Sequence, residues 1–246
     1  MNDQSTGAEA SEGVPPRVVL QPQPSPRCLL QIARGFSCSF WGIPLTLLLF
    51  FGAVDVHVME RVRLPAYILG VLLIFIGFTF LHRSKPVTRR WKTWARQGLT
   101  LSFILVYFSP FVYWWSHLPF TGYYVGNMLA LVACATWLMF SVNRLAAETG
   151  MALQDRTFAI EADLCGWSTV GLMMIPLLIT TGLTLYYAGV ARLDWITEWV
   201  SVQPDMPIWL YGFFLIPITL TMTSAWKAKE ICIRAIASVP PLETRV

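Results

Sequence analysis

The sequence WSTVGLMMIPLLITTGLTLYYAG, residues 167–189, decides the fold class because it carries no charged side chain from end to end. A helix rises about 1.5 Å per residue, so this stretch reaches across a hydrocarbon core of about 30 Å. Lipid offers no hydrogen-bond partner to backbone amides, and a helix satisfies them internally. The stretch therefore predicts a transmembrane helix.

Other apolar runs of similar length flank this stretch, and none has the alternating pattern of a membrane β-barrel. The chain is 55% hydrophobic and 13% charged, whereas soluble domains carry about 25% charged residues. The composition predicts an all-α integral membrane protein, a bundle of six transmembrane helices. The predicted spans are about 36–56, 64–81, 98–115, 122–142, 167–189 and 207–226.

Two polar segments flank this predicted transmembrane domain of residues 36–226. Residues 1–35 are rich in Pro, Ser and Gln, and they lack the early apolar core of a cleavable signal peptide. This composition predicts a disordered tail. Residues 227–246 are predicted to form a second, short tail.

The distribution of Lys and Arg sets the predicted orientation, because cytoplasmic loops carry an excess of both. Only Arg61, Arg63 and Arg192 fall on the outer side if the N-terminus lies inside. Both termini are therefore predicted to be cytoplasmic, in the plasma membrane. The basic residues of the inner side are Arg17, Arg27, Arg34, Arg83, Lys85, Arg89, Arg90, Lys92, Arg96, Arg144, Arg156, Lys227, Lys229, Arg234 and Arg245.

Between their ends, the predicted spans contain no Asp, Glu, Lys, Arg or His. Proton relays, ion pathways and charged-substrate sites in membranes use such residues. The absence disfavours proton-coupled carriers, ion pumps and enzymes that act at membrane depth. No span offers a histidine to haem and no Cys/His spacing is typical of zinc, so no cofactor and no metal are predicted. A net charge of +4 does not indicate a nucleic-acid partner.

The fourth span carries small side chains four residues apart, a pattern that lets two helices approach closely. The ridge consists of Gly122, Gly126, Ala130 and Cys134. It predicts close helix packing, either within the bundle or against another chain. Membrane protein partners and a homo-oligomer are therefore both expected, besides the lipid bilayer itself.

Prolines and threonines mark other spans. Pro44, Pro110, Pro176 and Pro217 lie within predicted spans, and each removes a backbone donor, which predicts a kink. Two i,i+4 pairs of hydroxyl groups, in the fifth and sixth spans, either line a polar pathway or bond their own helix. These pairs are Thr180 with Thr184, and Thr219 with Thr223.

Three connections are predicted to be more than spacers, and one of them, residues 190–206, is expected to form a small helix on the outer surface. The basic segment 83–97, with Trp91 and Trp94, suits either a short helix on an anionic inner leaflet or a positive-inside stop signal. Residues 143–166 alternate charged and apolar positions. They predict a cytoplasmic amphipathic helix or a helical hairpin.

The outer side gathers His57, Glu60 and His117, which form either a polar-ligand site or a solvated rim. The last residues, Glu243 to Val246, have the pattern of a carboxylate that a PDZ-type domain captures. Charge-free spans and a packing ridge together predict a non-enzymatic subunit or scaffold of a membrane complex. A carrier or channel for a neutral or lipidic solute is the first alternative. The second is a membrane-surface enzyme with an outer-face site.

Overall fold

The computed structural model describes residues 24–50, 67–85, 88–112, 122–190 and 208–238, and 93% of these residues are helical. Within these ranges there is no strand, so the predicted all-α class is confirmed. The helices are α1 (Pro26–Phe50), α2 (Ile68–Arg83), α3 (Arg89–Tyr107), α4 (Gly122–Ala152), α5 (Arg156–Val190) and α6 (Ile208–Ala237).

Among the described residues, three helical stretches are long and apolar enough to cross a membrane: Pro26–Leu49 in α1, Gly126–Ala152 in α4 and Arg156–Ile179 in α5. α2 is also apolar, but it has only 16 residues. Apolar helices of this length are the signature of a chain that is dissolved in lipid. The protein is therefore a helical membrane protein.

α1 begins well before residue 36, the predicted limit of the first span, because local signals start it at Pro26. The Cys28 backbone N–H donates to Ser25 Oγ at 3.4 Å, as at a helix N-cap. Proline is favoured at the first helical position, because a backbone N–H there would have no acceptor within the helix. The first turns of α1 then bury Leu29 and Ile32 in the core.

α3 joins the predicted third span to the basic segment before it. Thr88 caps the helix by accepting a hydrogen bond from the Trp91 backbone N–H at 3.1 Å. Trp91 is only 1% exposed, and Ala95 is wholly buried. The basic segment therefore lies against the other helices as the first half of α3, and it does not form a separate surface helix.

A tight turn joins α4 to α5, so residues 143–166 form a helical hairpin. The Asp155 backbone N–H donates to Gly150 O at 2.9 Å, and Gln154 has a φ of 63°. The left-handed Gln154 and the hydrogen bond from Asp155 back to Gly150 together form a Schellman motif, which ends α4. The Asp155 carboxylate then accepts from Phe158 N at 3.0 Å and caps α5.

The turn between α4 and α5 lies on one side of the molecule, which we call the basic end. It is where α1 begins, α2 meets α3, α4 meets α5, and α6 ends. The Cys28 thiol at the start of α1 donates to Lys85 O at 3.5 Å, which places these segments side by side. Each helix contributes basic residues here, among them Arg27, Arg83, Arg90, Arg144, Arg156 and Lys227.

Five helices pack as a ring in the order α1, α2, α3, α4, α6 and back to α1. α5 lies outside the ring, where it packs on α4 and α6. Most of the largest wholly buried side chains lie toward the basic end. They include Trp91, Phe36, Phe78, Ile32, Leu81, Leu145 and Glu148.

The α1–α2 contact brings two backbones together. A Cβ atom on Gly77 would lie 2.8 Å from Gly35 O, and one on Gly70 would lie 2.5 Å from Thr46 N. Any side chain at these positions would push the helices apart. Glycine therefore sets the distance between α1 and α2, as small residues do in membrane helix pairs.

We expect Gly70→Ala to lower the free energy of unfolding by about 1–3 kcal/mol, because the new methyl group meets the fixed backbone of Thr46. The measurement is denaturant unfolding in detergent micelles. Gly171→Ala is the matched control, since a Cβ there meets nothing within 4 Å. It should leave stability unchanged or raise it by up to about 1 kcal/mol. Equal losses in the two variants would contradict the close approach.

Candidate functional site

The segment SVNRLAAETG, residues 141–150 of α4, is polar in sequence but enclosed in the structure. All of its residues are buried except Arg144, whose side chain is 18% exposed. Buried polar groups need partners, because an unpaired buried group costs free energy. The partners of this segment define the candidate site.

Asn143 connects α4 to α6. Its side chain is wholly buried, and Nδ2 donates to Thr221 Oγ1 at 3.0 Å and to Met139 O at 3.1 Å. Because a carbonyl oxygen only accepts, the contact with Met139 fixes the orientation of the amide group. The Thr221 hydroxyl donates in turn to Pro217 O at 2.9 Å. The bonds therefore run from α4 into the turn of α6 that contains its proline.

Thr169 brings α5 into the same network. Its Oγ1 lies 2.8 Å from Cys165 O and 3.4 Å from Thr221 Oγ1. One atom of the network is left over, since Asn143 Oδ1 is buried and accepts no hydrogen bond from the residues described. An unpaired buried acceptor costs about 1–3 kcal/mol. The network can therefore accept one further hydrogen-bond donor.

Arg144 connects α4 to α5 and α3. Its guanidinium group forms an ion pair with Asp163, and Cζ lies 5.5 Å from the centroid of the Trp94 ring. The Trp94 ring packs edge-on against Phe140 at 5.6 Å, and Phe140 lies 5.2 Å from Trp167 of α5. A planar guanidinium can stack on an aromatic ring while it binds a carboxylate. The positive charge of Arg144 is thus neutralised by Asp163 while its planar group stacks on Trp94. The ammonium group of a lysine is not planar and could not make both contacts in this way.

Glu148 connects α4 to the start of α3. The carboxyl group is 2% exposed, and its Oε2 accepts a hydrogen bond from Thr88 Oγ1 at 2.6 Å. Thr88 is the N-cap of α3, so the carboxyl group lies at the positive end of that helix dipole. Its second oxygen, Oε1, has no hydrogen-bond partner in the described part of the chain.

α4 is therefore the hub of the polar contacts. Three of its side chains within two turns each bond a different neighbouring helix: Asn143 bonds α6, Arg144 bonds α5 and Glu148 bonds the cap of α3. A second ion pair joins α5 to α6, with Lys227 Nζ 2.8 Å from Glu161 Oε2. The hydrogen bond and the charge of Glu161 raise the pKa of Lys227. Lys227 thus stays charged at neutral pH.

The predicted packing ridge on α4 has no described neighbour near its middle. Gly126 and Ala130 are exposed, and a Cβ on Gly126 would meet nothing within 4 Å. Cys134 is half-buried and packs against the core. Gly122 is the first residue of α4, and its surroundings lie outside what the structure describes. The ridge stays a prediction, as does its use as an interface with another chain.

The predicted polar pathway also stays a prediction. Thr219 and Thr223 are exposed on α6, where they donate at 2.8 Å to Ile216 O and Thr219 O. Both hydroxyls bond carbonyls of their own helix, which was the other interpretation of these residues. The side chains of Thr180 and Thr184 lie outside the described part of α5.

Three of the four prolines lie inside helices: Pro44 in α1, Pro176 in α5 and Pro217 in α6. Pro110 instead follows α3, which ends at Tyr107, and it lies in a separate helical turn of residues 109–112. A proline cannot donate to the helix and its ring clashes with the preceding turn, so it suits a place where the helix has already ended.

The predicted outer-face residues His57, Glu60 and His117 lie outside the described residues, as does the C-terminal motif at residues 243–246. Among the side chains that the structure does describe, no three His, Cys, Asp or Glu residues come together as metal ligands.

α5 exposes an apolar face between Ile160 and Ile179. Ile160 is 54% exposed, Leu164 62% and Trp167 60%, and the face continues through Ile175, Leu178 and Ile179. The first three lie beside Glu161 and Asp163, which form the ion pairs to α6 and α4. The exposed face therefore extends from the level of the charged pairs into the apolar part of the bundle.

Comparison with protein-family models, curated proteins and solved structures finds no match to this chain. The fold and the α4 network therefore define the protein by class alone, as a helical membrane protein with a buried polar hub.

Sequence reasoning missed Asn143 and Glu148 because it ended the fourth span at residue 142, where polar residues begin. One signal was available, since residues 141–152 contain no proline and their one glycine, Gly150, lies near the C-terminus of α4. The alanines at 146 and 147 favour a helix and leave space for close neighbours. A helix that continues past the apolar run therefore follows from the residues between 142 and 152.

We expect Thr88→Val to destabilise the protein by about 2 kcal/mol or more in denaturant unfolding. The change removes the cap of α3, worth about 1 kcal/mol, and leaves the buried Glu148 carboxyl without its hydroxyl donor. Thr88→Ser should restore most of the loss. Thr100→Val is the control, because that hydroxyl is exposed and bonds only its own helix. Equal effects at positions 88 and 100 would contradict the role of the Thr88–Glu148 bond.

Proposed function

We propose that the chain is a non-enzymatic subunit or scaffold of a membrane complex, a multi-pass protein of the cell membrane. The observation that carries this proposal is the exposed apolar face of α5 beside the charged pairs. Ile160, Leu164 and Trp167 are more than half exposed at that level. A second membrane protein that packs on α5 is the expected partner.

The level of these residues distinguishes a protein partner from lipid tails. The Arg144–Asp163 and Lys227–Glu161 pairs mark a layer of charge, which belongs at the lipid headgroups or in water. Trp167 has an amphipathic indole ring that suits this layer, but the aliphatic side chains of Ile160 and Leu164 gain nothing from headgroups or water. They gain free energy when another apolar surface covers them, at about 25 cal/mol per Å² buried. Ile175 and Leu178, farther along α5, suit lipid tails.

The same proposal includes six spans with both termini in the cytoplasm. It is supported by the overlap of each predicted span with one of the helices α1 to α6. It is also supported by the basic residues that every helix contributes to the basic end, since Lys and Arg accumulate on the cytoplasmic side. α4 and α5, with 31 and 35 residues, would measure about 46 and 52 Å. They would extend past the hydrocarbon core and carry their turn into the cytoplasm.

Labelling with a membrane-impermeant maleimide tests this topology. In a variant without the native cysteines, Thr157→Cys places a thiol at the start of α5, beside the hairpin turn. We expect it to react only after the membrane is permeabilised. Ser116→Cys, in the predicted outer connection after residue 115, should react in intact cells. The reverse pattern would contradict the cytoplasmic basic end.

Photo-crosslinking tests the partner. A benzophenone amino acid at Leu164 should give a crosslinked polypeptide of defined mass in native membranes, because this position faces the expected partner. Leu30 is the matched control, since it is 44% exposed at the basic end on α1, which does not pack on α5. Native mass spectrometry then separates a second copy of this chain from a different protein. Recovery of a lone chain, with no crosslink at Leu164, would contradict the subunit proposal.

A second candidate is a carrier or channel for a neutral solute, and the unpaired Asn143 Oδ1 favours it. A buried acceptor among hydroxyl groups could bind a hydroxyl or amide donor of such a solute. Swelling of proteoliposomes with glycerol or urea tests this function. A carrier should swell faster than empty vesicles, and Asn143→Leu and Pro217→Ala should abolish the difference while the protein stays folded. Swelling equal to empty vesicles would remove these solutes as substrates.

A further inference from the structure

We propose that the seam between α1 and α6 at the basic end binds one anionic phospholipid, held by Arg34 and Lys229 and by the exposed rings of Trp41 and Trp226. The helices pack on each other here, and the Phe40 and Trp226 ring centroids lie 5.2 Å apart. The seam is on the α1–α6 side of the bundle, away from the α5 face to which the proposed partner binds.

The exposed residues of α1 form a stripe at seven-residue spacing. Arg34, Trp41 and Leu48 are all exposed, the last two by 60% and 49%. Seven residues are two helical turns, so the three side chains share one face and follow one another at intervals of about 10 Å. The order is a cation, an amphipathic ring and an aliphatic chain.

This order matches a phospholipid that lies along the helix. A phosphate would pair with the cation, the glycerol ester region would lie at the tryptophan, and an acyl chain would cover the leucine. Indole rings prefer this ester region, because one edge donates a hydrogen bond while the rest is apolar. The stripe covers about 21 Å, close to the depth of one leaflet.

α6 presents a matching pair of groups, a cation and an indole ring. Lys229 Nζ lies 4.4 Å from the centroid of the Trp226 ring, which is 44% exposed. The ring holds the ammonium group on the surface near the height of Trp41, because Phe40 contacts both tryptophans. α1 and α6 thus each contribute one exposed indole ring and one basic side chain.

The charges of Arg34 and Lys229 also favour an anionic ligand. The ion pairs that the described residues form use Arg144, Lys227 and Arg234, and none of them uses Arg34 or Lys229. Two cations without a carboxylate at an apolar surface favour an anionic ligand. A phosphodiester accepts hydrogen bonds from a guanidinium fork and an ammonium group together. Basic sites between helices on the cytoplasmic side bind such headgroups.

The experiment measures how many lipids the purified full-length protein retains. The protein in mild detergent is titrated with dioleoyl phosphatidylglycerol or dioleoyl phosphatidylcholine, and native mass spectrometry counts the bound molecules. We expect one phosphatidylglycerol to bind in preference to phosphatidylcholine. The double variant Arg34→Gln, Lys229→Gln should bind it about 25-fold more weakly, since each basic group contributes on the order of fivefold near an anionic surface and the two effects multiply.

The matched control is Arg90→Gln, Lys92→Gln, which removes the same charge from two exposed residues of α3. It should keep the full affinity, and Trp41→Leu should lose part of it. Equal weakening in both double variants would overturn the proposal, because it would show attraction to the overall charge. A benzophenone amino acid placed at position 41 would also overturn the proposal if it crosslinked to a polypeptide that phosphatidylglycerol fails to displace.

The placement of the seam at headgroup level rests on the proposed topology, and the two can fail separately. Lipid retention in detergent does not depend on which side of the membrane the basic end faces. Labelling of Thr157→Cys from outside would therefore reject the orientation and leave the lipid seam intact. Cytoplasmic labelling with no preference for phosphatidylglycerol would reject the seam and leave the topology intact.

Discussion

The buried amide, guanidinium and carboxyl groups of α4 each bond a neighbouring helix, and these bonds organise the protein around α4. Asn143, Arg144 and Glu148 point to α6, α5 and α3 in turn, so each bond fixes one neighbour relative to the hub. Lipid-facing packing alone leaves helices free to slide or rotate, because one apolar contact resembles another. Directional bonds remove that freedom.

The opposite side of the ring is held by a different interaction. α1 and α2 approach each other through backbone atoms at Gly35, Gly70 and Gly77. A contact of this kind depends on dispersion between closely placed atoms, and its strength falls off steeply when the gap widens. The bundle thus combines a glycine-defined pair with a hydrogen-bonded trio, and α6 contacts both α1 and α4.

Sequence reasoning predicted the class of the fold, because length and apolar character dictate a helix in lipid whatever its neighbours are. At the basic end the helices extend past the predicted span limits, since α4 continues beyond residue 142 and α1 begins before residue 36. Capping groups decide these limits: Ser25 and Thr88 start helices and Gln154 ends one. The partners of Asn143 and Glu148 depend on which helices are neighbours, and the order of packing around the ring is not written in any local pattern. The ridge at Gly126 illustrates the same limit, because a spacing rule reports that close packing is possible and leaves the partner unspecified.

The closure of the ring by α6 has a consequence for the order in which the protein can assemble. α1 packs against α6, which is made after α1 to α4, so these four helices can form only an open crescent before α6 has been made. α5 leaves the ribosome before α6, so it can pack at once on α4, but its second neighbour does not yet exist. During biogenesis the crescent must stay open at the α1–α4 gap until α6 arrives and takes its place there. During that interval the amide group of Asn143 lacks its partner Thr221 on α6, whereas Arg144 and Glu148 can already bond Asp163 and Thr88. An insertase or an intramembrane chaperone would therefore find one polar side chain of α4 unsatisfied.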